Sequence, residues 1–160
     1  RSTLFPYTTL FRSASTHFSQ ERTLELSRRP FENVFEMDME IISNWNKKIT
    51  MNDIVYHAGD FGDISTMKNI MSDLNYKQLI LVMGNYDVKI EKEINEIVST
   101  LKHRHIDVVS KATFEHNKKK YHVIHKPDSG KTHPRYPDSI VLFGHIHGRS
   151  FAKKNGFDLA

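Results

Sequence analysis

Apolar residues recur at helical spacing over 34–48, where Val34, Met37, Ile41, Ile42 and Trp45 share one face that Ile49 continues. Asn33 followed by Glu36 supplies a capping pattern ahead of them. The spacing predicts an amphipathic helix there, with Met37, Trp45 and Phe35 as core. A second run, 88–102, carries Ile90, Ile94, Ile97, Val98 and Leu101 on one face, and 65–74 reads as a third helix. A shorter helix over 19–29 is expected from a Ser19 cap to the Pro30 stop. Between the helices lie short apolar runs at 54–58 and 78–83, each ended abruptly, by Gly59-Asp60 and Gly84-Asn85. Beyond 102 the pattern changes to short strands at 106–110, 112–116, 121–125 and 139–143. An alternating first half and a hairpin-rich second half predict an α/β fold: a layered α/β sandwich of mixed β-sheets flanked by helices.

Composition narrows this further. A chain of 160 residues has room for one domain. Residues 1–13 (RSTLFPYTTLFRS) repeat Thr-Leu-Phe and resemble the in-frame translation of a sequencing adaptor, so the domain is expected over 14–160. Thr8–Arg12 is nevertheless apolar enough to stand in for a first strand. The ending Phe157-Asp158-Leu159-Ala160 carries no cap, and a domain truncated at both ends is expected. Setting aside Arg1 and Arg12 takes the net charge from +4 to +2. With no interleaving of aromatic and basic residues, stable nucleic-acid binding is not expected. The run Lys118-Lys119-Lys120 reads as a solvated hairpin turn. No apolar run reaches the roughly 18 residues a membrane helix needs. The absence of cysteine excludes disulfides, thiolate metal sites and cysteine nucleophiles, and fits a cytoplasmic setting. The unusual number is ten histidines, which with 19 carboxylates can furnish a metal site of nitrogen and oxygen ligands.

The chemistry lies where the strands end. Asp60 follows one apolar run and Asn85 a second, His125 ends a third, and His145 and His147 follow a fourth. Ligand sites in open α/β sheets collect beyond the carboxyl ends of the strands. The 25-residue step from Asp60 to Asn85 suits one helical crossover between neighbouring strands. His57, on a strand, reads as structural, and His103, His105, His116, His122 and His133 receive no role. Lys126, Arg135 and Tyr136 fall in a polar loop between the last two segments and are candidates for contact with phosphate.

Taken in order, His17 in Thr-His-Phe, Gly59-Asp60, Gly84-Asn85-Tyr86-Asp87, His125 and Gly144-His145-Ile146-His147-Gly148 resemble the motifs of the calcineurin-like metallophosphoesterases, and more closely their small bacterial and phage members. The resemblance implies a metal-dependent phosphoric ester hydrolase with two divalent ions (manganese, iron, zinc or nickel) and a bridging hydroxide as nucleophile. Asp60 would bridge the ions, Asn85, His125 and His145 would complete one shell, and His17 and His147 would bind the other ion. A phosphate ester, a nucleotide among the possibilities, is the implied substrate; oligomeric state is left open. The chain departs from the family pattern twice. Ser15 stands where an aspartate ligand is expected two residues before His17, and Tyr86 stands where a histidine, supported by Asp87, would assist the leaving group. Tyr86 and Asp87 are the catalytic candidates. These departures leave a rival reading, a catalytically impaired metal-binding or protein-interaction module of the same fold.

Overall fold

The computed structural model describes residues 10–127, 137–145 and 156–159. The chain runs β1 (Leu10–Ser13), α1 (Glu21–Leu26), α2 (Val34–Lys48), β2 (Ile54–His57), α3 (Ile64–Asp73), β3 (Gln78–Val82), α4 (Glu91–Thr100), β4 (His105–Val109), β5 (Ala112–His116), β6 (Lys119–Val123), β7 (Ile140–Phe143) and β8 (Gly156–Asp158). One sheet has the order β1-β2-β3-β4, every pair parallel; the other, β5-β6-β7-β8, pairs β5 and β6 antiparallel and the rest parallel. β2 and β3 are neighbours across the α3 crossover, as the 25-residue step requires. β1 falls within the segment set aside on sequence grounds and pairs with β2. Among the described residues no helix is long and apolar enough to cross a membrane.

Strands with near-continuous apolar runs are buried on both faces, and alternation shows how. Val55, Leu79 and Leu81 point into a core with Trp45 of α2, Met67 and Ile70 of α3 and Ile94 of α4. Their neighbours Tyr56, Ile80 and Val82 point the other way, against Phe114, Tyr121, Val123 and Leu142 of the second sheet. There Tyr56, Phe114 and Tyr121 form a ring stack with centroids 4.4 and 4.9 Å apart.

Three expectations need correction. Ser19 does not cap α1: the helix starts after Gln20 with no side-chain cap, because Ser19 donates its hydroxyl to Asp38 instead (2.7 Å). Phe35 is 72% exposed while Met37 and Trp45 are buried, since 34, 37, 41 and 45 make the inward stripe and Phe35 sits about 100° off it. The 88–102 helix opens instead as a 3-10 turn, Asp87–Ile90, before α4. β8 was not expected at all.

Two buried polar groups fix the strand ends. Asp87, fully buried, accepts three backbone hydrogen bonds: Asp60 N (2.7 Å), Phe61 N (3.1 Å) and Gly84 N (2.8 Å). Its carboxylate thereby ties the loop after β2 to the loop after β3. His57, also fully buried, accepts from Gly59 N at Nδ1 (3.2 Å), which leaves Nε2–H to donate to Thr16 Oγ1 (3.1 Å); that hydroxyl donates onward to the Phe61 carbonyl (2.7 Å). Burial drives the imidazole pKa down to about 3.

Asp87→Asn turns an amide NH2 towards backbone donors, and urea denaturation should show a loss of about 3 kcal/mol. For His57, the unfolded chain takes up a proton near pH 6.5 while the folded one does not until about pH 3. Stability contributed by the neutral ring is therefore complete above pH 6.5 and declines as pH falls, by at most about 1.4 kcal/mol per pH unit. The slope of unfolding free energy between pH 7.5 and 5 should be flatter in His57→Gln by about 1 kcal/mol per unit; parallel slopes would refute this.

Candidate metal centre

Strand pairing does not stop where the strands do. Beyond β1 and β2 the chains stay zipped through Ser15 N to Gly59 O (2.9 Å), His17 N to Asp60 O (3.1 Å) and Phe18 N to Phe61 O (2.9 Å). In the second sheet, Gly144 N donates to His125 O (3.0 Å), extending the β6–β7 pair. The two sheets are joined at this end by His125 Nδ1–H to the Ala58 carbonyl (2.8 Å) and by His145 N to Ser15 Oγ (3.1 Å). All the loops involved are tightly bent. Ser15, His17, Ser19, Asp60 and His145 have φ of 50, 51, 59, 54 and 77°. Each such left-handed L-residue costs about 1–2 kcal/mol, and strain of this kind collects at functional sites.

Two glycines make the close approach possible. Gly59 has φ 88°, and a Cβ there would lie 2.5 Å from Gly84 N and 2.7 Å from His125 Nδ1. A Cβ on Gly84 would run into the Asp60 carboxylate. The loops after β2 and β3 touch at backbone level and the His125 ring reaches them from the loop after β6, which brings their polar residues into one crevice.

There the lone pairs converge. Because His125 Nδ1 donates to Ala58, its Nε2 presents a lone pair, 3.2 Å from Asp60 Oδ2, 3.0 Å from Asn85 Oδ1 and 3.2 Å from His145 Nδ1. Asn85 Oδ1 is also 3.0 Å from His145 Nδ1. Ligand atoms about 2.0–2.2 Å from a shared cation stand roughly 3 Å from one another. A carboxylate, an amide oxygen and two imidazoles at that spacing fit a first-row divalent ion, and the carbonyl behind His125 fixes its ring as metal-ligating histidines require. Asp60, His125 and His145 offer ligand atoms all within 4.8 Å of one another. On the other side of Asp60, His17 Nε2 is 3.8 Å from the same Oδ2, with its Nδ1 donating to Gln20 Oε1 (2.7 Å). Asp60 Oδ2 is thus common to both groups, while Oδ1 accepts from Tyr86 N (3.0 Å).

The electrostatics follow from burial and this crowding. Burial raises the Asp60 pKa, but the hydrogen bond and charge of His125, the Tyr86 N–H and His17 outweigh it, so the carboxyl is held below its ordinary value. Burial lowers His125, yet the bond and charge of Asp60 and the Ala58 carbonyl carry its pKa above normal. His17 is lowered by burial, and His145 by burial and by His125. Asp87 is raised chiefly by burial, against its three backbone donors.

Of the residues singled out on sequence, His17, Asp60, Asn85, His125 and His145 stand together. His147, like Arg135 and Tyr136, lies outside the described residues. Tyr86 is at the mouth, 38% exposed, its ring edge-on to His17 (5.6 Å) and under the Lys89 ammonium (5.3 Å). Asp87 lies behind the crevice with both oxygens turned to backbone. Sequence reasoning missed Gln20, whose only signal is its position three residues after His17.

A family profile described as a calcineurin-like phosphoesterase superfamily domain matches residues 37–159, a span that begins after His17. An uncharacterized protein of Methanocaldococcus jannaschii is 29% identical over 138 residues, covering 84% of this chain and 66% of its own length. The chain thus spans just under two thirds of that relative. In solved structures, a protein of unknown function from Aquifex aeolicus is similar with a TM-score of 0.67 and 23% identity, over 94% of this chain and 88% of its own. A structure described as a novel archaeal phosphodiesterase is similar with a TM-score of 0.53 and 18% identity, over 94% and 81%. These last two are likenesses of fold. The profile matches well over half of the chain, including every described residue of the crevice except those of the His17 loop: the chain belongs to the calcineurin-like phosphoesterase superfamily.

Proposed function

We propose that the chain is a metal-dependent phosphoric ester hydrolase whose centre takes two divalent ions, manganese, iron, zinc or nickel, and works in the cytoplasm, the setting its cysteine-free composition suits. The observation that carries this reading is the convergence of Asp60, Asn85 and His145 on His125 Nε2 at 3.0–3.2 Å. Such ions would lower the pKa of a bridging water to give a hydroxide nucleophile, and neutralise the phosphoryl oxygens. Asn85, His125 and His145 would hold one ion, His17 and His147 the other, and Asp60 would serve both. Tyr86, at the mouth, offers a phenol that can donate a hydrogen bond to the leaving oxygen but is no acid–base group at pH 7. Asp87 acts from behind, holding the backbone of Asp60 in place. Ser15 Oγ accepts from His145 N rather than serving the His17 side. An aspartate at that position could keep this bond with one oxygen and turn the other to the ion, and aspartate tolerates the φ of 50° there better than serine.

Hydrolysis of bis-p-nitrophenyl phosphate with added manganese tests the reading. Ser15→Asp should exceed the unsubstituted chain, and His145→Ala in that background should lower the rate by at least about 100-fold. A folded, metal-loaded Ser15→Asp protein with no turnover would sink the hydrolase assignment. Tyr86→His should raise turnover of phenyl esters about tenfold or more while barely changing that of p-nitrophenyl esters, because a general acid matters most for poor leaving groups. Equal gains for both would deny position 86 that role.

A further inference from the structure

His17 sits on the most contorted stretch of the described chain. Left-handed residues alternate at Ser15, His17 and Ser19, with φ of 50, 51 and 59°. None is glycine, and neither serine is of a type enriched in this conformation. Pairing with the loop after β2 uses the N–H groups of Ser15, His17 and Phe18. It leaves the carbonyls of Ser15 and Thr16 to another donor, and that donor is Arg29. Its half-buried guanidinium gives Nη2 to Ser15 O and Nη1 to Thr16 O, each at 2.6 Å. A planar fork of fixed spacing is the side chain best suited to hold two successive carbonyls at once. On the far side of His17, the buried Asp38 takes the Ser19 N–H at Oδ1 (3.0 Å) and the Ser19 hydroxyl at Oδ2 (2.7 Å). Ser19 Oγ in turn accepts from Thr66 (2.8 Å), so the Asp38 end is anchored to α3 as well. Arg29 Nη1 also lies 3.2 Å from the Met37 sulfur, beside Asp38 at the start of α2.

We propose that Arg29 and Asp38 are positioning residues of the metal centre: together they clamp the strained 15–19 loop on both sides of His17 and so aim its Nε2 at Asp60. This rests on the hydrolase reading above. A clamp that merely supported the fold would affect the crevice as a whole, whereas this one leaves aside His125, which stands on another loop and hangs from Ala58 O. His145 also stands on another loop, but its N–H hangs from Ser15 Oγ within the clamped stretch, so His125 is the control.

The test is multiple-bond 1H–15N NMR of the histidine rings, first in the metal-free full chain and then with increasing zinc. In the unsubstituted chain His17 should show a single tautomer with the proton on Nδ1, held by Gln20. In Arg29→Ala that ring should average between tautomers, and the zinc needed to shift it should rise at least tenfold, while His125 responds at zinc concentrations within twofold of those for the unsubstituted chain. Asp38→Asn should act in the same direction. Arg29→Lys, which keeps the charge and loses the fork, should give a smaller version of the Arg29→Ala pattern, and it stands in if the alanine variant does not fold. An unchanged His17 ring, or an equal loss at all three histidines, overturns the proposal. If no histidine of the unsubstituted chain responds to zinc, the metal reading fails, and the His17 tautomer in the metal-free spectra still decides the positioning.

Discussion

A single buried carboxylate, that of Asp87, sets the geometry on which the crevice depends. A carboxylate without water is unfavourable unless it is hydrogen-bonded, and Asp87 is satisfied only by taking N–H groups from two different loops, those of Asp60 and Phe61 on one side and Gly84 on the other. The two parallel strands are thereby locked in relative height at their carboxyl ends. Once the Asp60 N–H is committed inward, its side chain must leave the other way, towards His125. The left-handed φ of Asp60 and the forced glycine at 84 are consequences of that one arrangement. Asp87 does its work without facing the crevice.

Five left-handed non-glycine residues at one end of the molecule are a standing destabilisation. It is tolerated because it is confined to the loops. The sheet behind them is buried on both faces, with Val55, Leu79, Leu81 and Ile94 all fully buried on the helix side and Val123 and Leu142 closing the other. Hydrophobic burial scales with area and is indifferent to direction, so it can supply stability remote from where strain is stored. The division of labour is spatial: apolar side chains make up most of the buried faces of the strands, and the polar ones of the crevice lie past their ends.

That division also explains what the sequence made legible. Periodicity in α2 marks Met37, Trp45 and Ile49 because an inward stripe repeats every three or four residues, and Phe35 misleads because aromatic character says nothing about phase. The abrupt stops Gly59-Asp60 and Gly84-Asn85 mark the crevice because the backbones there must touch, and only glycine permits that. Gln20, Arg29 and Asp38 left no comparable mark. Arg29 bonds to backbone carbonyls 13 and 14 residues away, and Asp38 to a serine 19 residues away, so nothing in the local pattern announces them. The same distance effect defeats Ser19 as a helix cap: a strong partner elsewhere outcompetes the nearby N–H groups. β8, at three residues, is too short to carry any period.

On the proposed reading, charge sets how the centre holds a cation, and the number of donors decides how its two halves differ. The lone pair of His125 that would meet a cation is the one a proton takes when none is there, and Asp60 favours both by the same attraction, which is why its neighbour's pKa is raised while its own is lowered. Metal and proton therefore compete for one position, and acid must weaken the metal. The His17 half is poorer in donors: among the described residues it holds His17 and the shared Asp60, while the other half adds Asn85, His125 and His145 to Asp60. With serine rather than a carboxylate at 15, Asp60 is the one anionic side chain among the described residues that both halves share at the crevice, and it cannot neutralise two divalent ions standing roughly 3.5–4 Å apart. The first ion bound draws on Asp60 fully, and the second must accept what is left along with the repulsion of the first. Geometry at His17 then counts for more than it does at His125, since a half already short of donors has no margin for a misdirected ring. A clamp of the Arg29 and Asp38 kind is most needed in the half of the site that has the fewest donors among the described residues.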